Sequence, residues 1–239
     1  MSGGKKKGSL LKRVLLALLA LVVVGGVAFV VYARDYYHAE PEALDVLDDP
    51  GVDDHGDVVA LWPEGEPVAG LVFYPGAKVE AESYLPLLDS LRDRGIACFL
   101  VRMPLNFAFF RIDAASGVMN EFPQIDNWYV GGHSLGGAMA SVYASGHEDE
   151  VDGLVLLGSS IYGDYPPEEA LTVYGSLNQS VEDRIDYTEN VVEIEGGNHA
   201  QFGNYGPQAG DEPATITADE QQEVTADAIQ DFVEDDLAA

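Results

Sequence analysis

The stretch Trp128-Tyr129-Val130-Gly131-Gly132-His133-Ser134-Leu135-Gly136-Gly137-Ala138-Met139-Ala140 changes character at its centre. Residues 128–131 read as a buried strand, and residues 135–145 as a helix opened by small side chains. Between them Gly132-His133-Ser134-Leu135-Gly136 fits G-x-S-x-G. A strand that passes into a helix over so few residues needs a sharp, strained turn, which leaves the central side chain exposed. Ser134 takes that place. Gly132, Gly136 and Gly137 let strand and helix approach closely. The Leu135 N–H, at the helix start, points toward negative charge developing beside Ser134.

The pattern repeats outward. Residues 58–62, 69–74, 96–101, 154–157, 171–174 and 191–195 read as strands, with Pro63-Glu64-Gly65 as turn material after the first. Ile96-Ala97-Cys98-Phe99-Leu100-Val101 has no polar position, as expected of a strand covered on both faces. Residues 81–94 read as a helix with Tyr84, Leu87, Leu88 and Leu91 on one face and Gly95 as its stop. Thr217-Ala218-Asp219-Glu220 fits a capping box, followed by a stripe of Val224, Ala228, Ile229, Phe232 and Val233. Strands interleaved with helices imply an α/β domain, a mostly parallel sheet with helices on both faces. Residues 103–127 are the least regular stretch.

A serine hydroxyl becomes a nucleophile only when a base takes its proton. Five histidines are present. His38 and His55 lie in acidic sequence, His133 is the variable position of the turn, and His147 ends the following helix, where it suits the dipole. His199 lies in the glycine-rich Glu195-Gly196-Gly197-Asn198-His199-Ala200, after the last strand, and is the candidate base.

The chain has 12 Lys+Arg against 41 Asp+Glu, a net charge of −29. Six of the basic residues precede Asp35 and every acidic one follows Arg34, so the remainder carries −35. A surface this acidic repels phosphates, which excludes nucleic-acid binding. The lone Cys98 excludes a disulfide framework and a cysteine-based zinc cage. The acid excess, with Lys78 the only lysine beyond Lys12, reads as an adaptation to concentrated salt, in which mutual repulsion is screened.

Residues 14–33 are uncharged and apolar, long enough as a helix to span about 30 Å of hydrocarbon. They exceed the apolar core of a cleaved signal peptide and lack a clean small-x-small cleavage site. Residues 1–13 carry Lys5, Lys6, Lys7, Lys12 and Arg13, so the positive-inside rule puts them in the cytoplasm and the body outside the cell membrane. Residues 34–57 read as an acidic tether and residues 58–239 as the folded domain.

Four segments carry a more specific resemblance: Phe73-Tyr74-Pro75-Gly76-Ala77-Lys78-Val79, Arg102-Met103-Pro104-Leu105-Asn106, residues 131–138, and Glu195-Gly196-Gly197-Asn198-His199-Ala200-Gln201-Phe202-Gly203. Together they resemble the α/β-hydrolase superfamily, and within it the small membrane-anchored alpha/beta hydrolase fold-5 group. The resemblance implies an α/β-hydrolase fold preceded by one transmembrane helix. It implies a Ser134–His199 pair and an oxyanion hole formed by the Leu135 and Ala77 amides, with Gly76 keeping the loop open to substrate. It implies no cofactor and no metal.

The family's third member usually follows the penultimate strand in a Gly-Ser-x-Asp turn. Here that turn reads Gly175-Ser176-Leu177-Asn178. Asn178 holds the position, and Glu182 or Asp183, one helical turn later, are rescue candidates, with Asp164 a third. Asn178-Gln179-Ser180 is also the only N-x-S/T sequon, which offers Asn178 as a glycan site. Lys78 beside the oxyanion hole is a candidate anchor for an anionic substrate group. Leu105, Phe107, Phe109 and Phe110 form an apolar cluster that suits the core, an acyl pocket or the bilayer. The expected function is a membrane-anchored serine hydrolase cleaving an ester or related acyl bond of a small-molecule substrate. A catalytically weakened binding or envelope protein, or an acyltransferase on the same site, remain the alternatives.

Overall fold

A computed structural model describes residues 4–238. Residues 1–3 of the expected cytoplasmic segment, and Ala239, lie outside the described residues. The chain divides into two compact units at Tyr36/Tyr37. The first is one helix, α1 (Gly4–Ala33). Its segment Leu10–Ala33 has a mean hydropathy of 3.1 and is long and apolar enough to cross a membrane.

The second unit holds helices α2 (Pro41–Asp45), α3 (Leu85–Asp93), α4 (Ala114–Glu121), α5 (Leu135–Ala144), α6 (Gln179–Glu182) and α7 (Ala218–Leu237). Its strands are β1 (Val52–Asp54), β2 (Val58–Leu61), β3 (Ala69–Tyr74), β4 (Ile96–Val101), β5 (Trp128–His133), β6 (Gly153–Leu157), β7 (Ala170–Gly175) and β8 (Val191–Ile194). They form one sheet in the order β1-β2-β4-β3-β5-β6-β7-β8. The β1–β2 and β2–β4 pairs are antiparallel, and all pairs from β4 to β8 are parallel.

The two-residue period of a strand sorts the apolar side chains between two cores. Leu71 and Phe73 of β3, with Cys98 and Leu100 of β4, face one core together with α3 and α7. Val72 and Tyr74, with Ala97, Phe99 and Val101, face the other with α4 and α5. This double coverage is why β3, β4, β5, β6 and β7 are buried along their whole length.

One expectation is corrected here. The stretch 34–57 is not a free tether, because from Tyr37 onward it belongs to the folded unit. Tyr37 bridges to Val79, Ala43 is fully buried, and Val46, Leu47 and Val52 pack against the core. These apolar residues are spread through acidic sequence, so one face sinks while the carboxylates stay outside. Arg102 then pins β1: its two terminal nitrogens donate to both Asp54 oxygens at 2.6 and 2.9 Å, and its Nε donates to Glu82 at 2.6 Å. That fork holds the Asp54 carboxyl at about 2, below the usual carboxylate range. The irregular stretch 103–127 also gains order. The Tyr74 hydroxyl donates to the Ile112 carbonyl at 2.6 Å and accepts from the Ala115 amide at 2.9 Å, seating α4.

Candidate active site

In a parallel sheet the loops that follow the strands converge at one edge, where open α/β sheets place their sites. Here the loops after β3, β5, β6, β7 and β8 bring Ala77, Ser134, Gly158, Asn178 and His199 to that edge. Ser134 has φ 54° and ψ −120°, a strained conformation for a residue with a Cβ. The turn is held because its neighbours have no room to relax. A Cβ on Gly136 would overlap the carbonyl oxygens of Tyr74 and Pro75, and one on Gly137 would lie 2.7 Å from the Gly132 carbonyl oxygen. Ser134, Leu135, Gly158, Asn178 and His199 line one open cleft of about 590 Å³.

The His199 loop is braced from three sides. Gln221 of α7, fully buried, donates to the Asn198 carbonyl at 2.9 Å and accepts from the Asn198 amide at 3.0 Å. The two oxygens of Asp211 accept from the His199 amide at 3.2 Å and the Ala200 amide at 2.8 Å. The buried His133 ring lies beneath, its Nε2 2.9 Å from the His199 carbonyl oxygen. His133 Nδ1 is 2.7 Å from the Tyr84 hydroxyl, which also accepts from the Gly76 amide at 3.1 Å. One direction satisfies every group: Gly76 N–H to Tyr84, Tyr84 O–H to His133 Nδ1, and His133 Nε2–H to His199. The chain ties the loop after β3 to the loop after β8. Burial, with His199 alongside, pushes the His133 pKa well below its ordinary value and keeps the ring neutral for this role.

Gly76 also serves the interior. A Cβ there would meet His133 Nδ1 at 2.8 Å and the Tyr84 hydroxyl at 2.9 Å, so the glycine makes room for the buried network. Among the described residues, the Ala77 and Leu135 amides donate to no intramolecular acceptor.

Asn178 is 6% exposed, and its Nδ2 lies 2.6 Å from His199 Nδ1. Ser180 Oγ donates to Asn178 Oδ1 at 3.0 Å. Glu182 and Asp183 are exposed and do not line the cleft, and neither does Asp164. The sequon is closed in the folded domain, because a glycan on Nδ2 would displace the His199 contact. Burial lowers the His199 pKa from its ordinary value; Asp211 partly offsets this and Arg184 adds to it.

The apolar cluster divides. Phe107 is buried, whereas Leu105, Phe109 and Phe110 are 40%, 41% and 49% exposed, and none of the four lines the cleft. Lys78 does not line it either. Sequence reasoning passed over His133, Tyr84, Asp211 and Gln221. His133 looked like filler in the turn and Tyr84 like a core face of a helix. Asp211 was one carboxylate among 41. The only signal for Gln221 was a polar residue one turn into a capped helix.

None of the curated proteins matches the chain. Among solved structures it is similar to Est1E from Butyrivibrio proteoclasticus, with 15% identity, TM-score 0.54, and coverage of 79% of this chain and 98% of that one. It is similar to MGS-MChE2, an alpha/beta hydrolase enzyme from the metagenome of lagoon sediments at Mar Chica, Morocco. There the identity is 14%, the TM-score 0.56, and the coverage 78% and 99%. A soluble variant of monoglyceride lipase from Saccharomyces cerevisiae has 10% identity and a TM-score of 0.54, with coverage of 77% and 94%. These likenesses show the fold. The family model described as Alpha/beta hydrolase family matches residues 70–223, from the first parallel strand through the serine turn and the His199 loop into α7. With that match over most of the domain, and with this sheet order, the chain belongs to the alpha/beta hydrolase family.

Proposed function

We propose that the protein is a membrane-anchored serine hydrolase that cleaves an ester or related acyl bond through an acyl-enzyme. One observation carries the reading: a strained serine, two amides without intramolecular acceptors, and a half-buried histidine whose pKa is lowered meet at one sheet edge. Ser134 Oγ attacks the substrate carbonyl while His199 takes its proton. The Leu135 and Ala77 amides stabilise the tetrahedral oxyanion. Collapse expels the alcohol, which receives the proton from His199. Water then attacks the acyl-enzyme with His199 again as base, releasing the acid and restoring Ser134. No metal or organic cofactor enters these steps. The monoglyceride lipase among the structural neighbours supports an ester as the substrate bond.

The apolar helix ending at Ala33 serves as an uncleaved anchor, with the basic N-terminus in the cytoplasm and the hydrolase domain outside. Protease digestion of intact cells should remove the domain and leave a protected N-terminal fragment. Replacing Ser134 by Ala should abolish both p-nitrophenyl ester hydrolysis in concentrated KCl and labelling by a fluorophosphonate probe. Unchanged turnover in Ser134→Ala would falsify the mechanism. A second reading, a weakened enzyme that survives as a binding or envelope protein, is favoured by Asn178 standing at the His199 ring. It predicts that folded wild-type protein is neither labelled nor active. Ester formation with added alcohols would point instead to acyl transfer on the same site.

A further inference from the structure

The domain after Arg34 has six basic residues. Four of them are committed to carboxylates: Arg92 to Asp89, Arg94 to Glu223 and Asp227, Arg102 to Asp54 and Glu82, and Arg111 to Asp57. Arg184 differs. It follows α6, lines the same cleft as Ser134 and His199, and forms no ion pair among the described residues, although Glu182, Asp183 and Asp186 flank it in sequence. It is close enough to His199 to disfavour the imidazolium. The one carboxylate on the cleft wall, Asp211, has an oxygen on each of two backbone amides and does not meet Arg184 in an ion pair.

The rest of the wall mixes polar groups with small aliphatic ones. Ser159, Ser160, Tyr162 and Gln208 contribute hydroxyl and amide groups, and the largest aliphatic side chains are Leu135 and Val181. A guanidinium without a partner, beside a serine and among hydroxyl donors, suits a carboxylate or phosphate on the substrate.

Resting on the hydrolase reading above, we infer that the substrate is a small polar ester bearing an anionic group, and that Arg184 binds that group. The residue supplies specificity that the surrounding domain lacks, since a body of net charge −35 repels anions everywhere else. In concentrated salt the Debye length falls to about 3 Å, so the recognition acts by contact and not by long-range steering.

The test uses the full chain in detergent and compares monoethyl adipate with ethyl hexanoate, two esters of equal acyl length with and without a terminal carboxylate. Wild type should prefer the adipate. Arg184→Gln should lower the ratio of adipate to hexanoate kcat/KM at least tenfold, chiefly through the adipate KM. Arg184→Lys should retain most of the preference. If Arg184→Gln leaves the ratio unchanged, the inference is overturned while the hydrolase reading stands. If wild type cleaves neither ester and Ser134 is not labelled, the hydrolase reading is the one that fails. Calorimetric titration of adipate into Ser134→Ala then decides the anion site independently: binding lost in Ser134→Ala/Arg184→Gln supports it, and equal or absent binding in both removes it.

Discussion

Asn178→Asp should make the enzyme faster. Asn178 Nδ2 stands 2.6 Å from His199 Nδ1. When that nitrogen donates, Nδ1 is the acceptor and the ring proton sits on Nε2, so Nε2 cannot take a proton from a serine. Turned over, the amide presents Oδ1 to an Nδ1–H and frees Nε2 to act as base. Ser180 permits both states, because a hydroxyl can donate to Oδ1 or accept from Nδ2. The asparagine thus divides the ring between a competent and an incompetent tautomer. A carboxylate has no donor, so it accepts only from Nδ1–H. It also adds a full negative charge for the imidazolium that forms in the transition state.

The size of the effect follows from Coulomb's law. Opposite unit charges about 4 Å apart attract by about 4 kcal/mol at an effective dielectric of 20, which is about three decades in rate. Asp-to-Asn in a serine-protease triad costs about four decades. Burying a new carboxylate at a site only 6% exposed consumes part of the gain. We expect kcat/KM for p-nitrophenyl acetate in concentrated KCl to rise between about tenfold and a thousandfold. The pH profile supplies a second signature. In wild type, burial lowers the His199 pKa, so the acid limb lies below pH 6.5. A carboxylate at position 178 favours the charged ring and moves that limb upward. An unchanged or reduced kcat/KM, in a variant that melts within a few degrees of wild type, refutes the assignment of Asn178 to His199.

Four other outcomes follow from the structure and the charge. His133→Leu strands the Tyr84 hydroxyl and the His199 carbonyl in the interior, so it should cost about 2 kcal/mol or more, read as a fall of about 4–8 °C in melting temperature. Both His133 and His199 have lowered pKa values in the fold, so the unfolded chain takes up protons first as the pH drops below about 6.5. Stability should decline from there downward, and melting temperatures that are flat from pH 7 to 5 would contradict this. Gly136→Ala forces a methyl into the Tyr74 and Pro75 carbonyls and should cost about 3 kcal/mol or more, or leave no folded protein, by circular dichroism. Raising KCl from 0.2 to about 2 M should raise the melting temperature, because screening relieves the repulsion of a domain at −35. A fall would count against the salt-adapted reading.

The legible parts of this molecule are those where local pattern and burial agree. The run 96–101 has no polar position, and it forms a strand buried at every residue. The Thr217 capping box starts α7 as expected, because its reciprocal bonds are local. The Gly-lined turn at Ser134 was legible for the same reason. What stayed hidden depends on contacts distant in sequence. β1 is three residues of Val52-Asp53-Asp54, with no β pattern of their own; pairing with β2 and the fork from Arg102 make them a strand. Asp211 and Gln221 act on the His199 loop through backbone groups, a role that no residue-type motif encodes. The cation on the cleft wall is Arg184, brought there by the turn after α6, and not Lys78, which follows β3.

The bracing of His199 also bears on the proposed role of Asn178. In a triad the acid both places the histidine and stabilises its charge. Here placement is shared out. Gln221 fixes the backbone before the histidine, Asp211 holds the amides of His199 and Ala200, and the neutral His133 ring supports the carbonyl from below. None of these bonds involves position 178. The backbone of the loop therefore stays in place whatever stands at 178, and under the proposed mechanism Asn178 is left with the ring: its orientation, its tautomer and the stabilisation of its charge. Under that division an asparagine should cost rate and not fold. The same division makes substitution at 178 a clean chemical probe. A variant with altered activity and an unaltered melting temperature isolates the electrostatic role, whereas substitution at Gln221 or Asp211 should move both together.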